Sequence, residues 1–69
     1  MIMEWFISRQ YIENDIFVTE YWNRDSQSWQ DKQGGKAYTQ RGAYIVMKRL
    51  FKRHSFYTCL SVDAYRQAI

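Results

Sequence analysis

Apolar and polar side chains alternate over residues 3–11, with Met3, Trp5 and Ile7 on one side and Glu4, Phe6 and Ser8 on the other. A period of two is the mark of a strand, here with at least one face partly wet. Glu13, Asn14 and Asp15 supply turn chemistry, because Asn and Asp tolerate left-handed backbone and bond their own main chain. Residues 16–22 are β-branched or aromatic almost throughout, with Ile16, Val18, Glu20 and Trp22 opposing Phe17, Thr19 and Tyr21, and read as the second strand of a hairpin. A polar turn at Asn23, Arg24, Asp25 and Ser26 precedes a short third strand over residues 27–30, centred on Trp29.

The pattern then changes. Paired glycines, Gly34 and Gly35, break the chain and read as a hairpin tip. Ala43, Val46, Met47 and Leu50 fall at i, i+3, i+4 and i+7, which predicts a helix over residues 40–53 with Thr39 as its N-cap. Arg53 and His54 suit the negative pole of its dipole. Phe56, Thr58, Leu60 and Val62 alternate with Tyr57, Cys59 and Ser61 as a last strand, and residues 63–69 are expected as a helical turn or a frayed tail. The order is ββ(β)αβ: an α+β fold with a small antiparallel sheet of three to four strands, one helix packed on one face, and a single domain over residues 1–69. Neither layer can bury its apolar side alone.

Composition sharpens this picture. A chain of 69 residues buries only about 60% of the surface it exposes when unfolded, so its stability margin is thin. Three Trp, six Tyr and four Phe, 19% of the chain, compensate with large rings and argue against disorder. One cysteine, Cys59, excludes an internal disulfide. The first residues lack the basic region of a signal peptide, and no apolar run approaches the ~20 residues of a membrane span. A cytoplasmic location is the expectation.

Charge is divided by position. Residues 1–40 hold four basic and six acidic side chains, a net −2, while residues 41–69 hold six basic side chains against Asp63 alone, a net +5; together they make the +3 of the chain. Such a field favours anionic partners on one face.

Two groups of residues are candidates for function. Arg41, Lys48 and Lys52 lie at i, i+7 and i+11 of the predicted helix, flanked by Arg49 and Arg53, and form a basic stripe suited to nucleic-acid phosphates. The competing reading is a solubilising surface that complements the helix dipole. The second group is aromatic: Trp22, Trp29, Tyr21 and Phe6 exceed what one helix can cover and are expected as anchors of a protein interface, with base stacking or a ring-built core as the other readings. Enzymatic chemistry is not expected. His54 and Cys59 are five apart on opposite strand faces, and adding Asp63 does not complete a tetrahedral metal shell. Gly34-Gly35-Lys36 lacks the spacing of a phosphate-binding loop. No cofactor is expected.

The aromatic strands Glu4-Trp5-Phe6-Ile7 and Phe17-Val18-Thr19-Glu20-Tyr21-Trp22, followed by Ala37-Tyr38-Thr39 opening a helix from Ala43 to Leu50 and by a short closing strand, resemble small uncharacterised proteins encoded by bacteriophages and prophages. The likeness is one of architecture and carries no site residues. It implies an accessory protein, of a class in which some members resemble inhibitors of host machinery such as RNA polymerase or CRISPR complexes. The sequence therefore leads to a non-enzymatic module that docks on a protein target through exposed sheet aromatics, with nucleic-acid binding by the basic helix as the alternative. Self-association of the acidic half of one chain with the basic half of another is a third possibility, and no membrane partner is expected.

Overall fold

The computed structural model describes residues 3–54 and 59–68. Its elements are β1 (Met3–Glu13), β2 (Ile16–Asn23), β3 (Ser28–Gln30), α1 (Gln40–His54) and β4 (Cys59–Ala68). The four strands form one antiparallel sheet in the order β3-β2-β1-β4, with α1 packed on one face. This is the α+β architecture that the periodicities predict.

Asn14 and Asp15 both take left-handed backbone, with φ of 52° and 64°, and join Glu13 to Ile16 across a two-residue turn. Positive φ at both central positions is what matches the turn to the twist of the strands. β3 is confined to three residues around Trp29. At the helix entrance Thr39 acts as the N-cap: its hydroxyl oxygen accepts from the Gly42 N–H at 3.1 Å, and its carbonyl accepts from Ala43 at 2.9 Å.

Two expectations are corrected. Residues 63–68 are strand, not a helical turn, because β4 runs beside β1 from Arg9↔Val62 to Met3↔Ala68. An eleven-residue β1 offers an edge of unpaired main-chain groups along its whole length, and a ladder satisfies more of them than one helical turn would. The register slips by one at Gln10/Tyr11, where a bulge skips Leu60. Gly34 and Gly35 are not a hairpin tip; they lie in the connection of residues 31–39 between β3 and α1. Gly35 has φ of 77°, and a Cβ built there would sit 2.7 Å from the Asn23 side-chain oxygen, so only glycine fits. The part of the expected last strand at Phe56, Tyr57 and Thr58 lies outside the described residues.

Pairing fixes which side chains share a face. Ile7, Trp22, Trp29, Val62 and Ala64 look toward α1, where Ala43 and Leu50 close the core and Val46 and Met47 pack at its margin. Phe6, Tyr21 and Tyr65 occupy the opposite face. Phe6 and Tyr65 are direct cross-strand partners with ring centroids 6.1 Å apart, and Tyr21 meets Tyr65 edge-on at 6.4 Å. The Tyr65 hydroxyl donates to Gln33 of the 31–39 connection at 2.6 Å. Sequence alternation alone does not show that this second face has a cover of its own.

Burial, and secondarily the nearby Tyr21, push the Tyr65 phenol up to about 12 from its ordinary 10.0. The folded chain holds that proton more tightly than the unfolded one, so this contribution is complete below pH about 10 and is lost as pH rises through about 12. The melting temperature, followed by circular dichroism, is expected to fall across that window, with a shallower fall in Tyr65→Phe. Identical profiles for the two proteins would contradict the placement.

Candidate anion-binding groove

α1 lies over β1 and β4 rather than over the middle of the sheet. On the same face, β2 and β3 are covered by side chains instead. The Trp22 and Trp29 rings meet edge to face at 5.2 Å, and the Arg9 guanidinium sits 4.4 Å from the Trp29 centroid. Arg9 is held there by Glu20, its direct partner across β1 and β2, with Nε donating to Oε1 at 3.0 Å. That pair closes the far end of the ring layer.

The near end is set by Tyr38. Its main chain forms a bridge with Trp5, the Tyr38 N–H donating at 2.8 Å and the Trp5 N–H at 3.2 Å. Its hydroxyl accepts from the Trp22 indole N–H at 3.0 Å. Burial pushes the Tyr38 phenol up, while the Trp22 bond and the Arg24 charge pull the other way. A phenol raised in this way stays protonated at neutral pH and is no general base there. Arg24, in the turn after β2, donates from Nη1 to the Ala37 carbonyl at 2.7 Å and places its guanidinium 5.1 Å from the Tyr38 centroid. The turn is itself braced, since the Asn23 side-chain oxygen accepts from the Asp25 and Ser26 N–H groups and Gln27 Nε2 donates to the Arg24 carbonyl at 2.7 Å.

Between this wall and α1 lies a groove of about 210 Å³. Arg24 and Gln27 stand on the turn side and Arg49 and Arg53 on the helix side, over a floor of Trp22, Tyr38, Val46 and Leu50. The helix contribution is a single stripe: Val46, Arg49, Leu50 and Arg53 fall at i, i+3, i+4 and i+7. No carboxylate lines the groove, and Arg49 and Arg53 have no ion-pair partner among the described residues. Guanidinium groups are charged at all relevant pH values and present planar forks that match phosphate and carboxylate. The arrangement can hold an anion against an apolar floor.

The basic residues expected on the helix are all exposed, but they divide into two sets. Arg49 and Arg53 belong to the groove, whereas Arg41, Lys48 and Lys52 project from the outer side of α1, beside the exposed Ile45. The aromatic expectation needs correction. Trp22 is 8% exposed and Phe6 5%, so both are packed inside the monomer and neither is an accessible anchor. Each faces a cover, α1 and Tyr38 in one case and Tyr65 in the other. Trp29 and Tyr21 are half-buried. The large apolar residues that do face solvent include Ile12, Ile16 and Phe17 at the β1–β2 tip, with Phe17 58% exposed. Arg24, Gln27 and Tyr38 had no signal as site residues in the sequence, where Arg24 reads as one polar residue of a turn. No three of His, Cys, Asp and Glu gather as a metal site among the described residues, and the His54 and Cys59 side chains lie outside that set.

No protein-family model, curated protein or solved structure matches the chain.

Tyr38→Phe keeps the ring and the backbone bridge but leaves the Trp22 indole N–H without its acceptor. A loss of about 1–3 kcal/mol is expected from urea unfolding, the cost of an unsatisfied, largely buried donor. A variant as stable as the parent would show that the bond does not hold the wall.

Proposed function

We propose that this chain is a non-enzymatic binding module whose ligand is nucleic acid, held by its phosphates in the groove and along the outer face of α1. The observation that carries this reading is the convergence of Arg24, from the half of the chain with net negative charge, with Arg49 and Arg53 on a groove that no carboxylate lines among the described residues. Bringing three cations together without a counter-charge costs folding energy, which an anionic ligand offsets. Arg49 and Arg53 stand in the C-terminal turns of α1, whose negative pole steadies the two cations, so the attraction for an anion comes from the guanidinium groups and not from the helix end. Arg41 and Lys48, pointing outward from the same helix, extend the positive surface beyond the groove and suit a polymer better than a small ion. On this reading the chain works in the cytoplasm; among the described residues no helix is long and apolar enough to cross a membrane.

The test compares two variants with the same change of net charge, Arg53→Glu in the groove and Lys32→Glu beside Gln33. Fluorescence anisotropy with a labelled single-stranded oligonucleotide is expected to show roughly tenfold or greater weakening for Arg53→Glu, the size of one lost charge-assisted contact, and little change for Lys32→Glu. Equal weakening, or no binding by the unaltered chain, overturns the proposal. Protein docking would then lead, with the exposed tip formed by Ile12, Ile16 and Phe17 as the surface to examine.

A further inference from the structure

We infer that the groove takes the terminal phosphate of a nucleic-acid strand, a phosphate monoester with its nucleoside, rather than an internal diester. The inference rests on the nucleic-acid reading above and specifies which part of the strand enters.

Size comes first. The groove is a recess of about 210 Å³ that opens to solvent. An internal phosphate arrives with chain on both sides and, in a duplex, with a second strand. A strand end carries chain on one side only and can enter a recess between a helix and a turn.

Charge points the same way. A monoester carries about −1.5 to −2 at pH 7, against one negative charge on a diester. Three guanidinium groups overmatch the diester and suit the dianion. Arg24 is already oriented: its Nη1 is committed to the Ala37 carbonyl and its plane lies near the Tyr38 ring, which leaves the remaining N–H groups of the fork for a ligand. Arg49 and Arg53 meet it from α1, and forked donors of this kind bind phosphate oxygens in pairs.

The floor determines what is not read. The Trp22 indole N–H is already spent on Tyr38, and no buried side-chain polar atom among the described residues lacks a partner. Val46, Leu50 and the Tyr38 ring offer apolar contact to a sugar or base without hydrogen bonds to a base edge. The floor therefore recognises a flat apolar body, and the Gln27 amide and the arginine forks at the rim are the groups able to meet a base edge.

The experiment uses the ¹⁵N-labelled chain, with the Trp22 Nε1–H and the Nε–H signals of Arg24, Arg49 and Arg53 followed by NMR during titration with adenosine monophosphate, adenosine, inorganic phosphate or phosphoserine. Adenosine monophosphate is expected to shift these signals to saturation, adenosine to leave them in place, and phosphate and phosphoserine to bind at least tenfold more weakly. In parallel, a 5′-phosphorylated single-stranded oligonucleotide is expected to bind at least tenfold more tightly than its 5′-hydroxyl counterpart. That difference should vanish in Arg24→Gln and in Arg53→Gln, the second keeping the test valid if the first disturbs the turn. Adenosine acting like its monophosphate, phosphoserine binding as tightly, or equal affinity for the two oligonucleotides would each overturn the inference. Binding of the hydroxyl-ended strand with no response to the monophosphate defeats this inference alone. Response to the monophosphate with no binding of either strand defeats the nucleic-acid reading and this inference with it.

Discussion

Tyr38 is the residue on which the rest of the structure depends. Its main chain is stitched to Trp5 of β1, its hydroxyl takes the Trp22 indole N–H, and the next residue, Thr39, caps α1. One position therefore fixes where the chain returns to the sheet, where the helix begins and which ring of β2 is pinned beneath it. Because Tyr38 occupies the β2 side of β1 at Trp5, the helix that follows is carried over β1 and β4 and leaves β2 uncovered by secondary structure. The groove is what that offset leaves behind.

A domain this small tolerates an off-centre helix because rings do the covering. Trp22 and Trp29 fill the space α1 leaves, and the Arg9–Glu20 pair stacks on their outer end. On the reverse face, Phe6, Tyr21 and Tyr65 form a second, thinner layer, tied to the 31–39 connection through Gln33. Aromatic residues suit both tasks, since each buries roughly 150–250 Å² with few rotamers to freeze. Among the described rings Phe6 and Trp22 are buried, Trp5, Tyr11, Tyr21, Trp29, Tyr38 and Tyr65 are half-buried, and Phe17, Tyr44 and Phe51 face solvent.

Much of the fold was legible from periodicity. The hairpin over β1 and β2, the short β3 around Trp29 and the helix with its Thr39 cap all follow from local rules of alternation, turn chemistry and capping. What was not legible depends on contacts between distant residues. Alternation separates Phe6 from Ile7 but does not say that the Phe6 face has a cover, because that cover is Tyr65, in a segment with too little local pattern to mark it as strand. The basic stripe was visible on the helix, yet its division into an outer set and a groove set depends on where Trp22 and Tyr38 stand. Arg24 reads as a polar turn residue, and only the return of the chain through Ala37 brings it to Arg49 and Arg53.

The central claim is that this surface neutralises phosphates, and the most direct measurement of it is the salt dependence of single-strand binding by the unaltered chain. With the groove arginines on one terminal phosphate and the outward Arg41 and Lys48 on two internal ones, about three phosphates are neutralised and the slope of log K against log salt should lie at about −2, from roughly −0.7 per contact on a single strand. A slope near zero would mean that no phosphates are neutralised and would contradict the account.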